Sequence, residues 1–171
     1  MLNDKVDIEG LQKITTDTAI ESRAKILAYN QLAKNDFIAE KKELLAVIVE
    51  VGLDHGLDTL AAFKDGTARY INQTGKMIIW ESADSDSEKL VKELFTNSLP
   101  IIEQIGPWNA ARRPQPAKGM ARISFLVSDG LYFGEAPMST LFNDPLAKSA
   151  LLSAAALMQF LTDKVLGPVT N

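Results

Sequence analysis

The main local charge feature of this sequence is a basic loop, residues 107–122, which reads PWNAARRPQPAKGMAR. The chain carries a formal net charge of −4, yet this loop has no acidic residue and four basic ones: Arg112, Arg113, Lys118 and Arg122. Neighbouring arginines bind carboxylates and phosphates through paired hydrogen bonds, and Trp108 can supply an apolar wall beside them. The loop predicts a site for a small anionic ligand; the plainer interpretation is a solvated surface loop.

A second candidate site pairs Arg69 with Trp80. If Thr74-Gly75 forms a two-residue turn, counting outward from it places these side chains directly opposite each other on adjacent strands. A guanidinium group over an indole ring contributes about 0.5–2 kcal/mol to stability. Packing within the sheet is the simpler purpose of this pair, and ligand contact is the alternative if that face of the sheet is open.

The sequence contains few of the groups that catalysis requires. It has no cysteine, no G-x-S-x-G nucleophile motif and a single histidine, His55, in a turn between two glycines. Glycine motifs that bind phosphates or dinucleotides are also missing. Carboxylates near predicted strand ends are candidates for an acid–base pair, but the sequence sets no distance between them; they are Glu50, Glu81 and Glu135. We expect a protein that is not a self-sufficient enzyme, and no particular cofactor is indicated.

The only local cluster of possible metal ligands that includes the histidine is formed by Asp54, His55 and Asp58. Its spacing matches neither the helical histidine pairs of zinc enzymes nor a calcium-binding loop. Aspartates are common in turns, which explains both carboxylates without an ion. The sequence therefore predicts no metal site.

The elements that position these residues centre on residues 43–81, which we interpret as four consecutive β-strands. Asp65-Gly66 and Thr74-Gly75 are tight-turn signals, and the flanking residues include many that are β-branched or aromatic. The predicted strands are Leu44–Val51, Leu57–Lys64, Thr67–Gln73 and Lys76–Glu81. A helix is the alternative for the first of these, and its Val-Ile-Val run favours a strand.

A second hairpin is predicted at Ala121–Ser128 and Leu131–Glu135, with Asp129-Gly130 as its turn. The expected cross-strand pairs are Val127 with Tyr132 and Leu126 with Phe133. Helical periodicity predicts helices near residues 18–34, 86–105 and 144–166. Because proline removes a backbone donor, Pro100 predicts a break or kink near Asn97–Leu99, followed by a short piece through Ile105.

The predicted order of elements is α-ββββ-α-ββ-α. Strands joined by tight turns form antiparallel sheets, so the sequence predicts an α+β fold. Its sheet has five or six strands, a four-strand meander plus a hairpin, flanked by helices. This order is similar to that of profilin-like and roadblock-like domains and of bacterial secretion-chaperone folds. The resemblance carries no sequence motif, so it implies a fold and not a function.

Composition sets the broad class of the protein. The 171 residues are 46% hydrophobic and 23% charged, as in an ordinary globular protein. We expect residues 1–17 to be a polar N-terminal arm and residues 18–171 to be a single α+β domain. The negative net charge argues against nucleic acid as a partner, and no run approaches the ~18 apolar residues of a membrane span. Since the N-terminus does not read as a secretory signal, we expect a cytoplasmic protein.

These observations favour a non-catalytic binding or interaction module, either an adaptor or a chaperone-like protein. The alternative is a small-anion or cofactor-binding protein, or an enzyme, that uses the basic loop and one face of the sheet. Both faces of the second hairpin are apolar, and three helices cover two sheet faces with difficulty. We therefore expect a homodimer, with a protein partner or a small anion as the further ligand. The alternative is that the long loop and the N-terminal arm complete the covering of the sheet within one chain.

Overall fold

A single antiparallel sheet organises the protein, whose computed structural model describes residues 6–82 and 84–167. The strand order is β4-β3-β2-β1-β5-β6. The strands are β1 (Leu44–Leu53), β2 (Gly56–Phe63), β3 (Ala68–Ile71), β4 (Met77–Trp80), β5 (Met120–Val127) and β6 (Gly130–Pro137). The predicted α+β class is confirmed, with the four-strand meander and the hairpin joined where β5 pairs with β1.

Five helices flank this sheet within the described residues. They are α1 (Ile8–Thr16), α2 (Ser22–Lys34), α3 (Ser85–Ile102), α4 (Met138–Asn143) and α5 (Pro145–Leu166). In the part of the chain that the structure describes, only α5 is long and apolar enough to match a membrane span. One side of α5 is nevertheless buried in the domain, through residues such as Ala150, Leu157 and Leu161.

The two faces of the sheet are covered differently. The core face, which carries Val47, Val49 and Phe125, belongs to one hydrophobic core with the buried sides of α3 and α5. The second face carries the residues that alternate with these along each strand, including Ile48 and Ser124. At one end of the second face α2 lies over the sheet, with the Arg23 Cζ atom 5.8 Å from the centre of the Phe63 ring. The basic loop crosses this face near the opposite ends of the strands.

The predicted register is wrong by one residue in the β2–β3 and β3–β4 hairpins. Lys64-Asp65-Gly66 and Gln73-Thr74-Gly75 are three-residue loops, each closed by a hydrogen bond from the glycine N–H to the carbonyl three residues earlier. Gly66 and Gly75 have φ values of 87° and 83°, as the last residue of such a loop requires. Arg69 consequently pairs with Ile79, and Trp80 pairs with Ala68. Because adjacent residues of a strand point to opposite faces, Arg69 and Trp80 lie on opposite faces of the sheet.

The predicted pairs of the second hairpin are also wrong, here by two residues. Val127 pairs with Gly130 and Leu126 with Leu131, so that Ser128-Asp129 forms the loop. Ser128 is held outside the pairing because its hydroxyl donates to the Lys41 carbonyl and accepts from the Glu43 N–H. A shift of two residues keeps every side chain on its expected face.

Within residues 1–17, the expected N-terminal arm, residues 8–16 form α1, which packs against α2; residues 1–5 lie outside the described range. The predicted break before Pro100 is wrong, since α3 continues to Ile102. Pro100 lies near the end of the helix, where its missing N–H removes only one of the last hydrogen bonds.

Asp65 fixes α2 to the loop between β2 and β3. Its carboxylate accepts hydrogen bonds from the Ser22 N–H at 2.7 Å and from the Thr67 hydroxyl at 2.7 Å, and the Asp65 N–H donates to the Ser22 hydroxyl at 3.0 Å. Burial by itself raises the pKa of Asp65, but the hydrogen bonds from Ser22 and Thr67 together outweigh burial and hold this pKa below its usual value. The ionised carboxylate therefore stabilises the fold.

We expect Asp65→Asn to lower the free energy of unfolding by about 1–2 kcal/mol at neutral pH, because an amide cannot accept all these hydrogen bonds. A lowered pKa contributes stability above the unfolded-state value of about 4, and this stability is lost as pH falls through the folded-state value. The difference between the two proteins should therefore shrink at about pH 2.5. Urea unfolding at both pH values measures it. Asp36→Asn, at an exposed position, is the control and should change the free energy of unfolding at neutral pH by less than about 0.5 kcal/mol.

Candidate functional site

A buried guanidinium group lies on the second face of the sheet, held between two carboxylates. The strand register places Glu50, Arg122 and Glu135 side by side on β1, β5 and β6. Arg122 is only 3% exposed. Its Nε donates to Glu135 Oε2 at 2.7 Å, and its Nη1 lies 3.5 Å from Glu50 Oε2. The arginine is therefore paired with one carboxylate on each neighbouring strand.

Arg122 also anchors the basic loop to the sheet. Its guanidinium group donates to the main-chain carbonyls of Arg113 and Pro114, and its Cζ atom lies 5.4 Å from the centre of the Phe133 ring. A buried charge is tolerated only when its donors are used. Here Glu135 and the two carbonyls accept hydrogen bonds from Arg122, and Glu50 adds an ion pair. The main role of Arg122 is thus to hold the loop, and less of it is available to a ligand than the sequence suggested.

Two further guanidinium groups approach the same carboxylates from the loop. Arg112 lies 3.5 Å from Glu50 Oε1, and Arg113 lies 3.9 Å from Glu135 Oε1. Their side chains remain 70% and 52% exposed, so most of their N–H donors face solvent. Three arginines against two glutamates leave one positive charge in the cluster. Arg112 and Arg113 are therefore able to bind an additional anion.

These arginines border a cavity of about 130 Å³, which we call the arginine-lined cavity. Its other lining residues lie on the second face of β1, β5 and β6, and all but one are apolar: Ile48, Ser124, Leu126, Leu131 and Phe133. A cation-rich rim over an apolar floor suits a ligand with an anionic head and an apolar body. A hydrophobic carboxylic acid is a ligand of this kind.

The other two predicted residues of the loop lie outside this cavity. Trp108 covers the first part of strand β6, where its main-chain N–H donates to the Leu131 carbonyl at 2.7 Å and its ring packs edge-on against Phe133 at 5.1 Å. Trp108 does not line the cavity itself, but it packs against Phe133, which does. Lys118 forms an ion pair with Asp54 beyond the end of β1. The structure thus brings Arg112, Arg113 and Arg122 together and leaves Lys118 apart.

The predicted pairing of Arg69 with Trp80 does not form. Arg69, on the second face, donates to the Glu81 carboxylate and to the Ala68 carbonyl at 2.9 Å. Trp80, on the core face, packs edge-on against Phe160 at 5.4 Å. The one-residue difference in loop length separates them, and neither side chain belongs to the arginine-lined cavity.

The residues considered for catalysis are placed as follows. His55 lies exposed in the turn between β1 and β2, while Asp54 pairs with Lys118 and Asp58 accepts a hydrogen bond from Tyr70. In residues 6–82 and 84–167, no three His, Cys, Asp or Glu side chains are grouped to hold a metal ion. Glu50 and Glu135 do come close, on either side of Arg122, whereas Glu81 pairs with Arg23 and Arg69.

The chain matches no protein-family model, and no curated protein matches its sequence. Its function is therefore inferred from the geometry and chemistry of its own side chains.

Sequence reasoning missed the joint role of Glu50, Arg122 and Glu135. Each was noted separately, but their contact requires the register of three strands, two of which are far apart in sequence. The available signal was the single charged residue in each of the three strands. Charges at such positions are expected to pair when the face is covered.

We expect Arg122→Met to lower the free energy of unfolding by about 3–5 kcal/mol, because it removes the buried cation and leaves two largely buried carboxylates with only the exposed Arg112 and Arg113 beside them. Adding Glu50→Gln and Glu135→Gln should recover much of this loss. Urea unfolding measures both variants. The control is Arg113→Ala, whose exposed ion pair contributes less than about 1 kcal/mol. A loss in Arg122→Met no larger than in this control would show that the buried network is not what holds the loop.

Proposed function

We propose that this protein is a non-catalytic binding module whose ligand site is the arginine-lined cavity. The observation that carries the proposal is the position of Arg112 and Arg113, with spare N–H donors, above an apolar floor on the second face. Glu50 and Glu135 are committed to the arginines, so they stand as structural partners rather than as an acid–base pair. Binding accounts for this arrangement without a chemical step.

The ligand we propose is a carboxylate attached to a compact apolar group. A carboxylate accepts paired hydrogen bonds from a guanidinium group, and a cavity of about 130 Å³ is close to the ~150 Å³ that holds a benzene-sized group. The apolar part lies against Leu126, Leu131 and Phe133. The same chemistry occurs in a free organic acid and in an acidic residue beside an apolar one on a protein partner, as an adaptor or chaperone-like protein would bind.

Benzoate should raise the melting temperature of the wild-type protein, since a ligand at 100 times its Kd stabilises the folded state by about 2.7 kcal/mol. The shift should disappear in the double variant Arg112→Ala, Arg113→Ala. It should persist in Lys118→Ala, the matched control from the same loop. Thermal unfolding monitored by circular dichroism measures all three proteins.

A second experiment determines whether the carboxylate belongs to a free organic acid or to an acidic residue of a protein partner. A short peptide with one glutamate next to one leucine is titrated against the same variants, beside its glutamine analogue. Tighter binding of the peptide than of benzoate favours a protein partner, and the reverse favours a free acid. An equal response of wild type and double variant to both probes would overturn the proposed site.

We propose, in addition, that the protein forms a two-fold dimer through β5 and β6. Strand β6 is an edge of the sheet, and Trp108 occupies only the outward carbonyl of Leu131. Along an antiparallel strand the N–H and C=O groups of every second residue point to the same side. Phe133 and Glu135 therefore direct theirs outward, to the free edge that the Leu131 carbonyl also faces. No backbone partner for them exists among the described residues. A second copy supplies matching groups by antiparallel pairing, and the half-buried Leu126 lies beside that edge.

Light scattering over a micromolar dilution series should give twice the 18.7 kDa of one chain. Replacing Leu126 and Phe133 by glutamine should reduce the mass to that of one chain while the far-ultraviolet circular dichroism stays unchanged. Leu27→Gln with Ile38→Gln, at exposed apolar positions outside the hairpin, is the control and should remain dimeric. A single-chain mass for the wild type at every concentration would exclude the dimer.

A further inference from the structure

A second cavity, of about 140 Å³, lies on the core face of the sheet beneath α4 and α5. We call it the apolar cavity, because its lining contains only two polar side chains, Asp58 and Tyr70. The remaining lining residues come from the core face and from the two helices: Val49, Val51, Leu60, Met138, Phe142, Leu151, Ala154, Ala155 and Met158. It is separated from the arginine-lined cavity by the thickness of the sheet.

The cavity exists because small residues of α5 lie opposite the sheet. Ala154 and Ala155 contribute no atoms beyond Cβ, so the space between the helix and β1–β2 stays unfilled. Met138 and Phe142 of α4 border the opening, and Phe142 is 38% exposed. Methionine side chains adapt their shape to different occupants. The opening is therefore bordered by side chains that can adjust to a ligand.

Asp58 is the only charged group in the lining of this cavity. Its Oδ2 accepts a hydrogen bond from the Tyr70 hydroxyl at 3.1 Å, and its Oδ1 accepts one from the Gln73 N–H at 2.8 Å. Two carboxylate oxygens accept about four hydrogen bonds, so acceptor capacity remains. Asp58 takes part in none of the ion pairs formed by the described residues.

Tyr70 orients this carboxylate. Burial, followed by the neighbouring Asp58, raises the pKa of Tyr70, so its hydroxyl keeps its proton at neutral pH and serves as a donor to Asp58. The carboxylate is thus held at one side of an apolar space, with no cation of the described chain paired to it. A ligand that carries a cation would complete the arrangement.

We propose that the apolar cavity binds a small hydrophobic amine, with its ring or alkyl group among the apolar residues and its ammonium group on Asp58. The volume is close to the ~150 Å³ that holds a benzene-sized molecule. Asp58 decides which charge the ligand carries. An ammonium group gains an ion pair with it in this partly buried site, whereas a ligand with a carboxylate group of the same size is repelled. The site lies across the sheet from Arg112 and Arg113, and its ligand has the opposite charge to the one proposed there.

Three probes of nearly equal shape test the choice of charge: benzylamine, benzyl alcohol and benzoate. Isothermal titration calorimetry on the full chain should give tighter binding of benzylamine than of benzyl alcohol. Benzoate is titrated against the double variant Arg112→Ala, Arg113→Ala, which lacks the arginines proposed to bind it, and should show no binding there. Asp58→Asn should weaken benzylamine by about tenfold or more, as expected when a charged hydrogen bond is lost, and leave benzyl alcohol unchanged. Benzylamine that binds both proteins equally, or fails to bind the wild type at millimolar concentration, would overturn the proposal.

The location is tested by filling the cavity. Ala154→Leu places a branched alkyl group at a buried position of the lining and should abolish binding of both benzylamine and benzyl alcohol. The control is Ala156→Leu, two positions further along the same helix, which is exposed and does not line the cavity. Retained binding in Ala154→Leu would place the ligand elsewhere. If that variant does not fold, the Asp58→Asn comparison decides alone.

The double variant Arg112→Ala, Arg113→Ala separates this proposal from the previous one. It should bind benzylamine as the wild type does, whatever its response to benzoate. Loss of benzylamine binding in this variant would show that the amine depends on the arginine-lined cavity, and would end the claim of an independent site.

Discussion

The buried charge of Arg122 is the constraint on which the second face of the sheet depends. A guanidinium group removed from water has to find partners for its donors, or the fold loses several kcal/mol. Glu135 and the main-chain carbonyls of the loop accept its hydrogen bonds, and Glu50 adds an ion pair from the other neighbouring strand. The path of the loop follows from this, since its carbonyls must reach across the sheet. One buried side chain thereby decides where two exposed arginines are presented.

The order of elements was predictable from the sequence because turn residues and periodicity are local properties. The exact pairing was not, since an Asp-Gly or Thr-Gly dipeptide occurs in both two-residue and three-residue loops. One additional loop residue moved Arg69 and Trp80 to opposite faces. In the second hairpin the hydroxyl of Ser128, bonded to residues 41 and 43, set the loop. A contact between residues so far apart in sequence cannot be predicted from the residues around the loop.

The candidate site was predictable in part for the same reason. Arg112 and Arg113 are adjacent in sequence, so their proximity needed no fold, whereas the contact of Arg122 with Glu50 needed the pairing of β1 with β5. Nothing in the sequence indicated the apolar cavity. Its lining comes from three strands and two helices, and the alanines of α5 are typical of close packing as well as of an unfilled space. Only the distance between helix and sheet separates these two outcomes.

The basic loop is fastened to the sheet at both ends as well as at its middle. Trp108 bonds to Leu131 at one end, and Gly119 bonds to Gly52 at the other. A Cβ atom at Gly52 would lie 2.0 Å from the Ala117 carbonyl oxygen, so the chain passes there at a distance that only glycine permits. The prolines at positions 114 and 116 restrict the backbone further. A ligand that meets Arg112 and Arg113 therefore has to immobilise side chains and not a backbone, which spares it most of the entropy that ordering a free loop would cost.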